Sequence, residues 1–233
     1  MSDQPARAYE EELLRLRSLI AEMGSLTISQ LEGAVDVAES FDLGTATAVV
    51  EREPEADRLE HQIDHLVIRL IALRQPVAAD LREILAALRT ANELERVCDH
   101  AESMAKRLIA LQPAPRAPAR SLSNLGRFAT AMVKDVMRAY AEADAVGAQK
   151  VWDRDKELDE MYTALFRELI TYMMEDAHRI TSSIHMLFIA RDIERVGDRA
   201  TNIAEMVIYR ARGLLVEEER PKADATKGVL PPA

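Results

Sequence analysis

Two dodecamers in this chain are near copies: ELERVCDHAESM, Glu93–Met104, and DIERVGDRATNI, Asp192–Ile203. Each carries the pattern acid-x-x-x-acid, Glu95/Asp99 in the first and Glu194/Asp198 in the second. Residues four apart share one face of a helix, so this spacing stacks two carboxylates one turn apart. Such a pair repels itself by roughly 0.2–0.5 kcal/mol when exposed. A repulsion written twice calls for a cation. Hard metal ions such as Mg²⁺, Mn²⁺ and Fe prefer carboxylate oxygens, and two facing helices with one pair each supply four of them. The other candidate is arginine. Arg96 stands three residues before Asp99, Arg195 three before Asp198 and Arg191 three before Glu194, spacings that allow intrahelical ion pairs of small energy.

Two further acid pairs lie upstream, Glu53/Asp57 and Asp155/Asp159. The dodecamer acids recur at a spacing of 99 residues (95 to 194, 99 to 198) and the upstream acids at 102 (53 to 155, 57 to 159). The chain therefore reads as an internal duplication. The three-residue difference is placed in a turn, RQPVAAD in one copy and EDAHR in the other, where a duplicated fold tolerates a change of length. Leu81, Leu88, Glu95 and Glu102 form one seven-residue row, and Ile180, Leu187, Glu194, Thr201 and Ile208 another, so each motif glutamate lies on a row that begins in the core. Glu102, Asn92 and Asn202 extend the oxygen-rich strip. The Glu53/Asp57 pair falls away from the apolar stripe of Leu59, Ile63, Leu66 and Leu70.

The elements that position these acids are amphipathic helices, since apolar residues recur at three- and four-residue spacing along most of the chain. One run spans about Ala6 to Glu39 and is broken by FDLG; a second spans about Thr45 to Arg74 with Pro54 inside it, where a kink or fresh start is expected. A third runs from about Ala79 to Leu111. QPAPRAPARS, Gln112–Ser121, with three prolines, is a stiff linker. The pattern restarts over about Leu122 to Glu142, Ala145 to Met174 (interrupted near Trp152) and His178 to Gly213. The expected architecture is all-α: a first three-helix bundle over 6–111, the linker at 112–121, a second bundle over 122–213 and a loose tail over 214–233.

Composition narrows the function. The 233 residues are 48% hydrophobic but only 4% aromatic, which suits helix packing through Leu, Ile, Val, Ala and Met; 8 glycines and 9 prolines are too few for many short strands. A net charge of −10 argues against wrapping nucleic acid and favours cations or basic surfaces. The single cysteine, Cys98, allows no intrachain disulfide and follows the apolar row of Leu94, Ala101 and Ala105. MSDQPARAYEEELLRLR is too polar for a signal peptide, and the longest apolar runs, such as Met186–Ala190, fall far short of a membrane span. A cytosolic protein is expected. His61 and His65, one turn after Asp57, have zinc-compatible spacing, but position 102 further on holds Thr163 and Arg167. Glu175-x-x-His178 occurs once, across a helix break, where a di-iron bundle needs two such motifs. No phosphate loop, GxSxG elbow or Ser/His/Asp cluster is present, so no enzyme is expected.

At NELERVCDHAE from Asn92, DIERVGDRATNI from Asp192, RLIALRQPVAADLR from Arg69 and LITYMMED from Leu169, the chain resembles the PhoU family of phosphate-signalling regulators, over about Tyr9 to Arg210. The resemblance implies two three-helix bundles as pseudo-repeats, and acid pairs that bind metal: Glu53, Asp57, Glu95 and Asp99 at one site, Asp155, Asp159, Glu194 and Asp198 at the other. The ions implied are divalent or ferric (Fe, Mn, Mg or Zn). Gly197 precedes the second acid of repeat two, as is usual in the family; repeat one has Cys98 there, a larger side chain expected to disturb the first site. The resemblance further implies a non-catalytic negative regulator of the phosphate-starvation response. It would be an adaptor between the ATPase subunit of the phosphate ABC transporter and a PhoR-type sensor histidine kinase, peripheral to inner-membrane complexes. A homodimer is expected, with no nucleic acid and no membrane insertion. The alternative is a carboxylate-bridged multinuclear enzyme or metal store, which would require turnover or metal release.

Overall fold

The computed structural model describes residues 4–111 and 118–214. Most of the proline-rich linker and all of the tail beyond Leu214 lie outside the described residues. The described chain is a succession of helices: α1 (Gln4–Ser40), α2 (Leu43–Glu51), α3 (Glu53–Arg74), α4 (Ala78–Ala110), α5 (Ala119–Glu142), α6 (Ala145–Asp153), α7 (Asp155–Glu175), a 3₁₀ turn (Ala177–Arg179) and α8 (Ile180–Arg212). The last residues assigned above to the linker, 119–121, already belong to α5. No helix among the described residues is long and apolar enough to cross a membrane.

The second run of each repeat is two helices, with a fresh start beside Pro54 and an interruption beside Trp152 as the sequence marks them. Asp42 accepts a hydrogen bond from the Thr45 amide (2.8 Å) and Asp144 one from the Val146 amide (3.0 Å), capping α2 and α6. Both short helices stop at an arginine, Arg52 or Arg154. Pro54 then sits in the first turn of α3, where its missing N–H belongs to no intrahelical bond. Repeat two has no proline there and still restarts, because Asp155 and Glu157 load the first turn of α7 as Glu53 and Glu55 load that of α3. Acids there meet the positive end of the helix dipole. The arginines at the breaks tie back to the first helix of their own repeat: Arg52 to Ser29 (3.3 Å) and Arg154 to Asp135 (2.8 Å).

Among the described residues, contacts between the repeats run through two antiparallel helix pairs, α4 with α8 and α1 with α5, and α4–α8 is the most extensive packing of any two helices. Both pairs obey the duplication. A Cβ added to Gly24 would lie 2.6 Å from Met137 on α5, and one added to Gly126, 102 residues on, 2.6 Å from Val35, itself 102 before Met137. Across α4 and α8, Arg199 donates to Glu93 (3.3 Å), and His100 meets Asp192 (3.2 Å); each partner in one contact stands 99 residues from its counterpart in the other. The near-copied dodecamers therefore face each other across a pseudo-twofold axis. The two long helices meet along the row that holds Glu93 and His100 on α4 and Asp192 and Arg199 on α8, and both contribute many small buried residues, among them Ala87, Ala91, Ala101, Ala105, Ala190, Ala200 and Ala204, to one shared core.

Candidate metal centre in two helix seams

Each upstream acid pair lies at the start of its helix, α3 or α7, beside the middle of α4 or α8, and the packing brings the pairs together repeat by repeat. In the first seam Glu53 and Asp57 come from α3, Glu95 and Asp99 from α4, and all four are half-buried. Burial, then Asp57, Glu102 and Asp99 in turn, hold the Glu53 carboxyl above its ordinary value. Glu95 is pushed up to about 7, first by burial and next by Asp99, with Glu60 adding and Arg96 opposing. Six carboxylates thus act on one another here, Glu60 and Glu102 joining the two pairs. The answering cations are Arg96, 3.5 Å from Glu95 and 3.7 Å from Asp99, and Lys106, 2.7 Å from Glu102.

The second seam is drier. Asp155, Asp159 and Glu194 are 2%, 2% and 3% exposed, and Asp198 is half-buried. Arg191 reaches Glu194 (3.5 Å) and lies over the Tyr162 ring, 6.0 Å from its centroid. The closeness of the two helices has a local cause. A Cβ on Gly197 would collide with Leu158 on α7. At the matching places of repeat one stand Cys98 and Ala56, so bulk added to α4 is removed from α3. Cys98 is buried and donates a hydrogen bond to Thr27 on α1 (3.3 Å). The exchange of sizes answers the expected disturbance: the larger residue has a smaller neighbour.

The donors are carboxylates with amide oxygens at the margin, a set suited to hard, oxygen-seeking cations and ill suited to soft ones. Among the described residues, no three His, Cys, Asp or Glu side chains converge as a ready-made ligand shell. Half-exposed carboxylates on adjacent turns can be drawn together by rotamer change alone, so the first seam fits a bound ion on donor chemistry. The discarded candidates stay apart from it. His61 and His65 are exposed, and the His61 ring meets the Asp57 carbonyl (2.7 Å); Glu175 and His178 are exposed at the α7–α8 corner.

Spacing did not reveal Glu60 as a member of the site. It lies one turn beyond Asp57 and accepts a hydrogen bond from Asn92 (3.3 Å), which a search for a third acid at i+3 would have found. Nor did it reveal the adjoining cleft of about 490 Å³ between α3, α4 and α8, lined by Glu60, Asp64, Asn92, Glu93, Asn202 and Glu205 among others. Asn92 and Asn202, one from each repeat, both line this cleft.

A family model described as the PhoU domain matches the chain twice, over residues 20–108 and 122–207. The chain belongs to the PhoU family. Both PhoU matches end within α4 and α8, and each includes one acid-pair set. The chain is 46% identical over 224 residues to a Xylella fastidiosa (strain 9a5c) protein named phosphate-specific transport system accessory protein PhoU homolog, covering 96% of this chain and 94% of that one. A Rhizobium meliloti (strain 1021) protein of the same name is 44% identical, covering 94% and 93%. The crystal structure of PhoU from Pseudomonas aeruginosa matches with a TM-score of 0.86 at 36% identity, over 88% of this chain and 100% of that one. The phosphate transport system regulatory protein PhoU from Streptococcus pneumoniae matches at 0.84 and 27% identity, over 90% and 100%.

Proposed function

We propose that this protein restrains phosphate uptake and the phosphate-starvation response without catalysing a reaction. It acts as a cytosolic adaptor, a homodimer that joins the ATPase subunit of the phosphate ABC transporter to a PhoR-type sensor histidine kinase. The observation that carries this reading is near full-length likeness to proteins named as accessory to phosphate-specific transport. Long helices with broad lateral faces suit docking against partner helices. Deleting the gene is expected to switch on phosphate-scavenging genes in phosphate-rich medium, read with a promoter reporter; a reporter that stays silent overturns the proposal.

The acid pairs serve this adaptor as cation sites. Glu53, Asp57, Glu95 and Asp99 would hold a hard ion across α3 and α4, and Asp155, Asp159, Glu194 and Asp198 form the duplicate set across α7 and α8. A bound ion would neutralise carboxylates that otherwise repel, and so tie the start of one helix to the middle of the next. Elemental analysis of gently purified protein, beside a variant lacking both motif pairs (Glu95→Ala/Asp99→Ala with Glu194→Ala/Asp198→Ala), tests it: metal is expected in the first sample and absent from the second.

A further inference from the structure

The duplication allows the two seams to be compared place by place. At 102 residues through α3 and α7, Glu60 corresponds to Tyr162. At 99 residues through the dodecamers, Asn92 corresponds to Arg191 and Glu102 to Thr201. In the first seam Asn92 donates to Glu60 across α4 and α3 (3.3 Å). In the second, the same two places hold a guanidinium over an aromatic ring: Arg191 on α8 lies 6.0 Å from the centroid of Tyr162 on α7, with its Nη1 3.5 Å from Glu194 Oε1. An acid–amide contact in one repeat is a cation–ring contact in the other.

Charge and exposure follow the same division. The first seam gathers six carboxylates, and its two bases stand at the rim, with the side chains of Arg96 and Lys106 53% and 57% exposed. The second has four carboxylates, three of them buried, and the Arg191 side chain is 35% exposed beside the buried Glu194. Buried carboxylates are costly unless a cation meets them. A guanidinium suits that task in a partly buried place, being weakly hydrated and able to stack on a ring. Leu158, closed against Gly197, fills the floor of this seam, where repeat one has only Ala56.

We infer that the two repeats are not equivalent toward cations: the α3/α4 seam takes a hard divalent ion, whereas in the α7/α8 seam the Arg191 guanidinium, seated between Glu194 and Tyr162, is the resident cation. The inference rests on the metal reading above and assigns the ion to one half of it. An ion ligated by Glu194 would have to share that carboxylate with a fixed positive charge, and like charges at such range repel strongly in a poorly solvated seam. In the first seam Arg96 stands at the same 3.5 Å from Glu95, but its side chain is more exposed than that of Arg191 and, among the described residues, has no ring to stack on, so solvent screens it and it is free to swing away from an ion.

The test is equilibrium dialysis of the full chain against Mn²⁺, with bound metal measured by elemental analysis. Three variants accompany the wild type: Glu95→Gln/Asp99→Asn, Glu194→Gln/Asp198→Asn, and Arg191→Asn, which installs the residue that repeat one carries. The first double variant is expected to weaken Mn²⁺ binding at least about tenfold. The second double variant should leave it within about twofold, since it removes no ligand of the occupied seam. Arg191→Asn should raise the Mn²⁺ bound per chain by opening the second seam. Because Arg191→Asn strips a buried carboxylate of its cation and can unfold the protein, methyl NMR of the wild type gives an independent answer. Mn²⁺ should broaden the Ala56 methyl signal and leave the Leu158 methyls sharp, the two residues holding equivalent places. Equal broadening of both, or loss of binding in Glu194→Gln/Asp198→Asn, overturns the inference while the metal reading stands. Absence of Mn²⁺ from wild type and variants alike overturns both.

Discussion

Leu158 and Gly197 fit only each other. Leu158 occupies the space that a Cβ at position 197 would need, and both are fully enclosed. Gly197→Ala is expected to destabilise the protein by about 1–3 kcal/mol in urea unfolding, because Leu158 must leave its rotamer in a packed core. Leu158→Ala alone should cost about 2–5 kcal/mol through the cavity it leaves. Combined, the two changes recreate much of the Cys98/Ala56 balance of repeat one, and the loss should be smaller than the two single losses together; strict additivity would show that the two residues do not compete for one space. At this scale the acids were legible, since identity and spacing are all that an i, i+4 pair requires. The compensating swap was not. Cys98 in place of Gly197 stands out in the aligned dodecamers, but its partner change lies about forty residues upstream on another helix.

The helices end by residue-level devices that recur with the duplication. Phe41 and Ala143, 102 residues apart, close α1 and α5 in the left-handed region at φ +54° and +52°. A side chain there is strained by about 1–2 kcal/mol, and glycine is not. Ala143→Gly is therefore expected to raise stability by about 0.5–1 kcal/mol after allowing for the freer unfolded chain, read as a higher midpoint in thermal unfolding. Pro54 inside the run from Thr45 to Arg74 marks a kink or a fresh start, and α3 does start afresh there, at Glu53. The clean stop at Arg52 depends on the arginine reaching α1 and on the acids of the next first turn, and only the latter are written locally.

The molecule as a whole is one body built on a pseudo-twofold axis. Glu83 shows how the repeats are tied: it takes two hydrogen bonds from Arg17 of α1 (2.6 and 2.9 Å) and one from Arg210 of α8 (3.0 Å). The Arg17 hydrogen bond, with Arg210 nearby, holds the Glu83 carboxyl below its ordinary value. A depressed carboxyl contributes stability that is complete above its unfolded value and disappears as pH falls through the folded one. Glu83→Gln should accordingly cost about 1–2 kcal/mol at pH 7, a figure reduced for the exposure of Arg17, and the gap to wild type should close in acid below about pH 4. A gap that persists there would show that the charge of Glu83 is not what ties the helices. Because α4 packs along its length against α8, the repeats should melt together. Calorimetry is expected to give one transition whose van't Hoff and calorimetric enthalpies agree, and two resolved transitions would mean that the halves fold independently.

The sequence by itself determined the helices, the duplication and the pairing of acids on shared faces. Each of these follows from local periodicity or from counting along the chain, and a helix converts spacing into direction without outside help. Tertiary structure alone decided which carboxylates are buried, that Glu60 joins the first seam while Arg191 and Tyr162 enter the second, and that Glu93 meets Arg199 as His100 meets Asp192. Those outcomes depend on contacts between residues on different helices, many of them about a hundred positions apart. The angle and depth at which two helices pack are set by the volumes of both faces together, and no single stretch of the chain carries that information.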